Sequence, residues 1–277
     1  MSRQMLVAGS HRLSLDRPLV MGIVNVTPDS FSDGGLHATA DAAIAHARSL
    51  VDQGADILDI GGESTRPGAA PVAEHEELAR VIPVIEAARE WGVPISVDTQ
   101  KPNVMREAIL AGASIVNDVL ALRSPGAMEA CAASDVTVCL MHMQGEPRTM
   151  QSAPRYADVV GDVKQFLLQR ADACVRAGIR QDRIVIDPGI GFGKSLEHNL
   201  ALLRATAEFA ATGYPVLVGV SRKSMFKALL NLETNDRVLV SVVTAVLCAQ
   251  RGASILRVHD VRETRQALSI MHGIVPS

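Results

Sequence analysis

Apolar positions along the chain fall into short continuous runs separated by longer stretches of helical period. Runs rich in β-branched residues occupy 19–26, 57–61, 94–99, 114–119, 137–143, 184–187, 215–221 and 255–260. Most are continuous rather than alternating, the pattern of strands covered on both faces. Between them, helical segments are predicted over 40–53, 74–91, 102–111, 157–177, 196–211, 236–250 and 261–272. The first places Ala43, Ala47, Leu50 and Val51 on one stripe. Pro102 opens a helix that closes before Gly112, and Pro83 is expected to kink or divide the helix over 74–91.

An internal echo supports this division. Gly54-Ala55-Asp56-Ile57, Gly112-Ala113-Ser114-Ile115 and Gly252-Ala253-Ser254-Ile255 share one form: a glycine ending a helix, two small residues or nearly so, then a strand. The residue after a helix often adopts left-handed backbone geometry, which glycine supplies without a Cβ clash. Eight strand–helix alternations predict a single-domain α/β fold over 1–277, a (β/α)8 TIM barrel with its core at about 19–273. An open doubly wound sheet is the competing architecture.

Composition narrows the function classes. With 277 residues, 48% of them apolar, the chain can bury a large core. A net charge of −3 with dispersed basic residues excludes an electrostatic footprint for nucleic acid. The longest apolar stretch, 238–249, is interrupted by Ser241 and Thr244 and is too short to span a bilayer. The opening stretch is polar, without the apolar segment of a secretory leader, so the cytoplasm is the expected compartment. Cys131, Cys139, Cys174 and Cys248 form no C-x-x-C pair and are expected to pack as free thiols.

All eight predicted strands finish in polar or ionisable residues: Asn25; Glu63 with Ser64 and Thr65; Asp98; Asn117 and Asp118; His142; Asp187; Ser221 to Lys223; and Arg257 with His259. Charge at a buried strand end is costly unless paired or used, and barrel active sites are assembled from these ends. In Leu256-Arg257-Val258-His259, period-two spacing aims arginine and histidine to one side, an arrangement suited to phosphate oxygens. For the arginine by itself, a salt bridge to a neighbouring carboxylate is the alternative reading. Lys223 and Arg222 add cations at the preceding strand end. Pro188-Gly189-Ile190-Gly191-Phe192-Gly193-Lys194-Ser195 is not a P-loop, because Pro188 stands where that motif requires glycine. A tight turn that lifts Asp187 into the barrel mouth is the better reading. Two long polar loops, 27–35 and 61–69, have the composition of lids or binding loops.

These residues also carry a resemblance. Asn25-Val26-Thr27-Pro28-Asp29-Ser30-Phe31-Ser32-Asp33-Gly34-Gly35 and Gly61-Gly62-Glu63-Ser64-Thr65-Arg66-Pro67-Gly68 resemble two signatures of dihydropteroate synthases. Ser96-Val97-Asp98-Thr99, Asn117-Asp118-Val119, Met141-His142-Met143-Gln144-Gly145, the Asp187–Lys194 segment, Ser221-Arg222-Lys223-Ser224 and Arg257-Val258-His259-Asp260 follow in the family's order. The resemblance runs from about Leu19 onward. It implies condensation of 6-hydroxymethyl-7,8-dihydropterin diphosphate with p-aminobenzoate, releasing diphosphate. It further implies pterin contacts at Asp98, Asn117, Asp187 and Lys223, with apolar walls from Met141 and Phe192. Diphosphate contacts are implied at Thr65, Arg257, Val258 and His259, p-aminobenzoate contacts at Arg66, Pro67, Ser221 and Ser224, and a Mg²⁺ ligand at Asn25. Asp98, Lys223, Arg257 and His259 are the expected catalytic set. A homodimer packed through barrel helices, including the apolar helix over 236–250, is also implied. A pterin-dependent methyltransferase and a catalytically silent pterin-binding paralogue are the alternatives.

Overall fold

The computed structural model describes residues 5–27, 35–64, 70–145, 150–151 and 154–274, the side chains of 35–39 excepted. The chain starts with an antiparallel hairpin, β1 (Met5–Ala8) and β2 (His11–Ser14). Eight parallel strands follow: β3 (Leu19–Asn25), β4 (Ile57–Gly61), β5 (Ile95–Asp98), β6 (Ile115–Asp118), β7 (Thr137–Met141), β8 (Ile184–Asp187), β9 (Leu217–Val218) and β10 (Ile255–Val258). Their order in the sheet is β8-β7-β6-β5-β4-β3-β10-β9. A parallel bridge between Ile186 and Val216 joins the two ends, reinforced by the Ile186 N–H donating to Pro215 O at 3.0 Å. The sheet is therefore a closed (β/α)8 barrel, as the alternation predicted.

The outer helices are α1 (Gly35–Asp52), α2 (Glu74–Ala88), α3 (Pro102–Ala111), α4 (Ala127–Ala132), α5 (Val159–Arg176), α6 (Leu196–Arg204), α7 (Thr206–Ala210), α8 (Met225–Leu230), α9 (Val238–Gln250) and α10 (Val261–Ile274). The predicted break at Pro83 does not divide α2. Val81, Val84, Ile85 and Ala88 are buried around it, so packing on the barrel offsets one missing backbone donor. Conversely, the single helix predicted over 196–211 divides into α6 and α7 at Ala205, where Thr206 Oγ1 donates to Leu203 O at 2.8 Å. The short helices α4 and α8 are too brief to leave a helical period in the sequence.

The helix-ending glycines behave as expected. Gly54, Gly112 and Gly252 have φ of +97°, +125° and +95°. In each case the next residue's N–H reaches back to close the helix: Ala55 to Leu50 O, Ala113 to Ala108 O, Ala253 to Cys248 O.

Strand alternation sorts the core into two bodies. Val20, Leu58, Ile60, Val97, Val116, Val138, Leu140, Ile184, Leu256 and Val258 face outward and pack with the helices. Leu19, Met21, Ile57, Ile115, Cys139, Val185, Leu217 and Ile255 form a separate cluster inside the barrel, and Leu6 and Ala8 of the hairpin complete it. The hairpin thus plugs the N-terminal end of the barrel. Gly9 N–H donates to Asp135 O at 3.2 Å, and Thr137 Oγ1 bonds Val7 O. All four cysteines are buried free thiols, and burial pushes the Cys131 thiol up to about 12. Among the described residues, no helix is long and apolar enough to cross a membrane.

Candidate active site

One step above the apolar plug, the same inward alternation turns polar. Asp59 follows Ile57, Asn117 follows Ile115, Met141 follows Cys139, Asp187 follows Val185, and Arg257 follows Ile255, each two residues toward the C-terminal end. In β5, where Ile95 and Val97 face the helices, Ser96 and Asp98 face inward. Strand pairing brings them level: Gly61 lies beside Asp98, Asp98 beside Asn117, and Met141 beside Asp187. The expected pterin floor therefore assembles from four adjacent strands.

Arg257 occupies the middle of this floor. Its Nε donates to Asp59 Oδ2 at 2.5 Å and its Nη2 to Asp98 Oδ2 at 2.6 Å. Asn117 Nδ2 donates to the same Asp59 oxygen at 3.3 Å. One guanidinium between two carboxylates leaves an excess negative charge. Burial, opposed by Arg257 and reinforced by Asp59, pushes Asp98 up from the ordinary carboxylate range. Arg257 is raised: although burial disfavours its charge, Asp59 and Asp98 favour it more. The salt bridge that was the alternative reading for Arg257 is present, to two carboxylates. A cation inside the barrel requires a counter-charge, and Asp59 and Asp98 supply it. His259 lies against Ser221: Ser221 Oγ accepts from His259 N at 3.1 Å and lies 3.0 Å from His259 Nδ1. Ser221, expected to touch p-aminobenzoate, is thereby a fixed neighbour of His259. Ser224 is exposed at the start of α8.

Val258 is another of the expected diphosphate contacts. Its side chain belongs to the core between strands and helices, because alternation turns it away from Arg257. The same rule reassigns other polar strand ends. Asp118 accepts from Leu120 N and Leu122 N at 2.8 Å each, organising the turn after β6. His142 packs on Phe166, ring centroids 4.9 Å apart. Asp260 grips Arg222 through Oδ2···Nε at 3.1 Å and Oδ1···Nη2 at 2.5 Å.

That last pair has a use. Arg222 has φ +55°, a conformation that costs a non-glycine residue about 1–2 kcal/mol. The Asp260 clamp and the bond from Arg222 N to Ser241 Oγ at 2.9 Å hold it there. The following residue, Lys223, places Nζ 4.3 Å from the centre of the Phe192 ring and acts electrostatically on Asp187. Phe192 in turn packs against the buried cluster Val119, Met141, Met143 and Met150. Met141, Phe192 and Lys223 thus form one wall of the mouth.

The glycine-rich segment is the predicted tight turn. Gly189 N–H donates to Asp187 Oδ1 at 2.7 Å, and burial raises the Asp187 carboxyl. A Cβ on Gly189 would lie 2.0 Å from His142 O, and one on Gly193 would lie 2.5 Å from Gln144 O; both residues have positive φ. These close approaches weld the turn to the loop after β7. Lys194, 3% exposed, completes the weld by donating to His142 O at 3.1 Å and Phe192 O at 2.9 Å, with His142 Nδ1 at 3.1 Å. Burial lowers Lys194 to about 7. Burial and Lys194 hold His142 neutral, lowered to about 3.

Thr65, Arg66 and Pro67 lie outside the described residues, as does most of the loop over 27–35. The flanks of the second loop are described. Glu63 accepts from Lys101 Nζ at 2.7 Å and from Val72 N at 3.0 Å, bridging the two sides of the loop. Lys101 also pairs with the fully buried Glu77, and Arg80 donates to Gly62 O at 2.7 Å. Asn25 ends β3 half-buried, beside Gly61.

A family model described as pterin binding enzyme matches residues 21–259. The chain belongs to this family, among the dihydropteroate synthases. The Escherichia coli K12 dihydropteroate synthase is 52% identical over 269 residues, covering 97% of this chain and 95% of that protein. A solved structure of Xanthomonas albilineans dihydropteroate synthase with 4-aminobenzoic acid superposes with a TM-score of 0.93 at 52% identity, covering 99% of this chain and 100% of that one. That of Burkholderia cenocepacia dihydropteroate synthase complexed with 7,8-dihydropteroate gives 0.90 at 48%, covering 98% and 96%.

Against this family background, three residues that sequence reasoning passed over stand out. Asp59 sits in mid-strand, away from the strand end, but an acid inside the run Ile57-Leu58-Asp59-Ile60 was itself the signal. Lys194 closes both the failed nucleotide motif and the Asp187–Lys194 signature segment, and no role was assigned to it. Glu77 lies in a helix whose period gave no sign of a buried acid.

Proposed function

We propose that this chain is a dihydropteroate synthase, joining 6-hydroxymethyl-7,8-dihydropterin diphosphate to p-aminobenzoate. The observation that carries the reading is the convergence of Asp98, Asn117, Asp187 and Arg257 on one barrel floor, walled by Met141, Phe192 and Lys223. Near-full-length relatives that act under that name support it, as do related structures holding 4-aminobenzoic acid and 7,8-dihydropteroate.

In this reading the carboxylate of Asp187 accepts from the pterin's flat donor edge, and Asn117 offers donor and acceptor to the ring nitrogens. Lys223 meets the opposite ring edge. The C–O bond to diphosphate breaks with its electron pair leaving on the diphosphate, while positive charge develops on the pterin methylene. The arylamine nitrogen bonds that methylene and loses one proton. Arg257, His259, Thr65 and Val258 stabilise the departing anion, and the Asp98 carboxylate stabilises the developing cation. Arg66, Pro67, Ser221 and Ser224 are the proposed contacts of p-aminobenzoate.

Mg²⁺ is the proposed cofactor, with Asn25 as its oxygen ligand, and it would neutralise charge on the diphosphate. Among the described residues no three His, Cys, Asp or Glu side chains gather into a cage. That fits an ion drawing most of its ligands from diphosphate and water. Four buried free thiols suit the reducing cytoplasm, the proposed compartment. A homodimer is proposed through α9 and its neighbour α10, where Leu239, Val243, Leu247, Ile270 and Ile274 are exposed apolar residues. Light scattering showing only a monomer at micromolar concentration would reject that assembly.

The deciding experiment is a steady-state assay of 7,8-dihydropteroate formation from the two substrates with Mg²⁺. Turnover is expected. Tight binding of the pterin diphosphate with no product would identify a silent paralogue instead.

A further inference from the structure

We propose that Asp59 is a positioning residue for this site: from beneath the floor, its carboxylate presets Arg257 for the diphosphate-bearing pterin. The inference rests on the reading of the site as a pterin diphosphate pocket.

Asp59 is fully buried and stands inside the barrel, one alternation above Ile57 of the apolar plug. Hydrophobic residues, among them Met21, Ile57, Ile115 and Ile255, fill the level directly below it, so an apolar side chain would suit the position better for stability alone. Asp59 Oδ1 has no hydrogen-bond partner among the described residues, and neither has Ser96 Oγ beside it in register. Such a group costs free energy to keep. Its other oxygen, Oδ2, is doubly engaged, by Arg257 Nε at 2.5 Å and Asn117 Nδ2 at 3.3 Å.

These two bonds have directional consequences. Asp59 and Asp98 together take two of the five N–H donors of Arg257. The guanidinium plane is thereby fixed at two points, and its remaining donors are ordered before an anion arrives. Without Asp59, one carboxylate remains, and Asp98 can take both donors of the fork for itself. By accepting from Asn117 Nδ2, Asp59 also engages the amino end of that carboxamide and leaves its oxygen for the ligand. Ordering donors in advance strengthens binding by removing the cost of arranging them later.

Asp59→Asn keeps the size and removes the charge. By calorimetry, affinity for the pterin diphosphate is expected to fall about tenfold or more. Affinity for the unphosphorylated hydroxymethylpterin should fall less than about threefold. In an Arg257→Lys background, which lacks the Nε donor, Asp59→Asn should lose most of its effect. Equal losses for both ligands, unchanged or tighter diphosphate binding, or the same loss in both backgrounds would overturn the proposal. Should Asp59→Asn fail to fold, the wild-type chain still decides by NMR. The Nε–H signal of Arg257, assigned by its absence in Arg257→Lys, is expected to exchange slowly with solvent before and after ligand is added. Rapid exchange in the free protein would also overturn it. Wild-type turnover tests the underlying reading separately, since none of these binding measurements needs product to form.

Discussion

The two ends of the barrel interior use one geometry for opposite purposes. At the N-terminal end, inward residues from seven strands and two from the hairpin make a dry cluster whose members include Leu6, Met21, Ile57 and Val185. Two residues further along four of those strands the inward positions are Asp59, Asn117, Asp187 and Arg257, and Asp98 of β5 joins them. The lower layer gains stability from apolar burial. The upper layer gives some of it up, with one guanidinium shared by two carboxylates and a carboxyl at Asp98 raised by burial. The barrel tolerates this charged floor because a packed layer lies directly beneath it.

This contrast can be broken most severely at the upper end. Asp187→Ala is expected to lower kcat/KM by roughly a hundredfold or more, since removing a buried polar partner costs about 2–5 kcal/mol. Its midpoint of thermal unfolding should shift little, because burial disfavours the Asp187 carboxylate and offsets the bond it accepts from Gly189. A collapse of folding with the loss of activity would show that floor and plug are not separable. The complementary change, Leu6→Ala, should destabilise the fold by about 2–4 kcal/mol through a cavity in the plug, measured by urea unfolding. KM for both substrates should stay within about twofold; a large kinetic effect would mean the plug shapes the floor.

A smaller effect is expected from pH. Asp98 binds its proton more tightly folded than unfolded. The folded state therefore loses stability as pH rises from the ordinary aspartate range through the raised value of about 7. Asp98→Asn should flatten that part of the stability profile, and an unaltered profile would assign the titration elsewhere. Smallest of all, Ser221→Ala should raise KM for the pterin diphosphate by several-fold or less, about 1 kcal/mol for one hydrogen bond to His259. If KM for p-aminobenzoate rises instead, Ser221 acts directly on that substrate.

Much of this was legible along the chain. The eight strands, the glycine-terminated helices and the turn beneath Asp187 follow from local period and backbone preference. The inward placement of Asp98, Asn117, Asp187 and Arg257 follows from period two once the strands are known. Less legible was the N-terminal hairpin. Its strands are four residues each, and Leu6, Ala8 and the partly buried Leu13 are too few to mark it as a strand pair. Pro83 misled for a related reason: its local cost is outweighed by contacts on the barrel, which no local pattern records.

Sequence alone determined the architecture and the chemical inventory, since both depend on residues close together in the chain: strand period, helix ends, and the polar residues that close each run. Only the folded structure decided how that inventory is divided. Arg257 and Asp59 are 198 positions apart, and Arg222 and Asp260 are 38 apart. Which charges neutralise one another and which face the mouth depends on barrel closure and strand register. Electrostatic energy falls with distance in space and takes no account of distance along the chain.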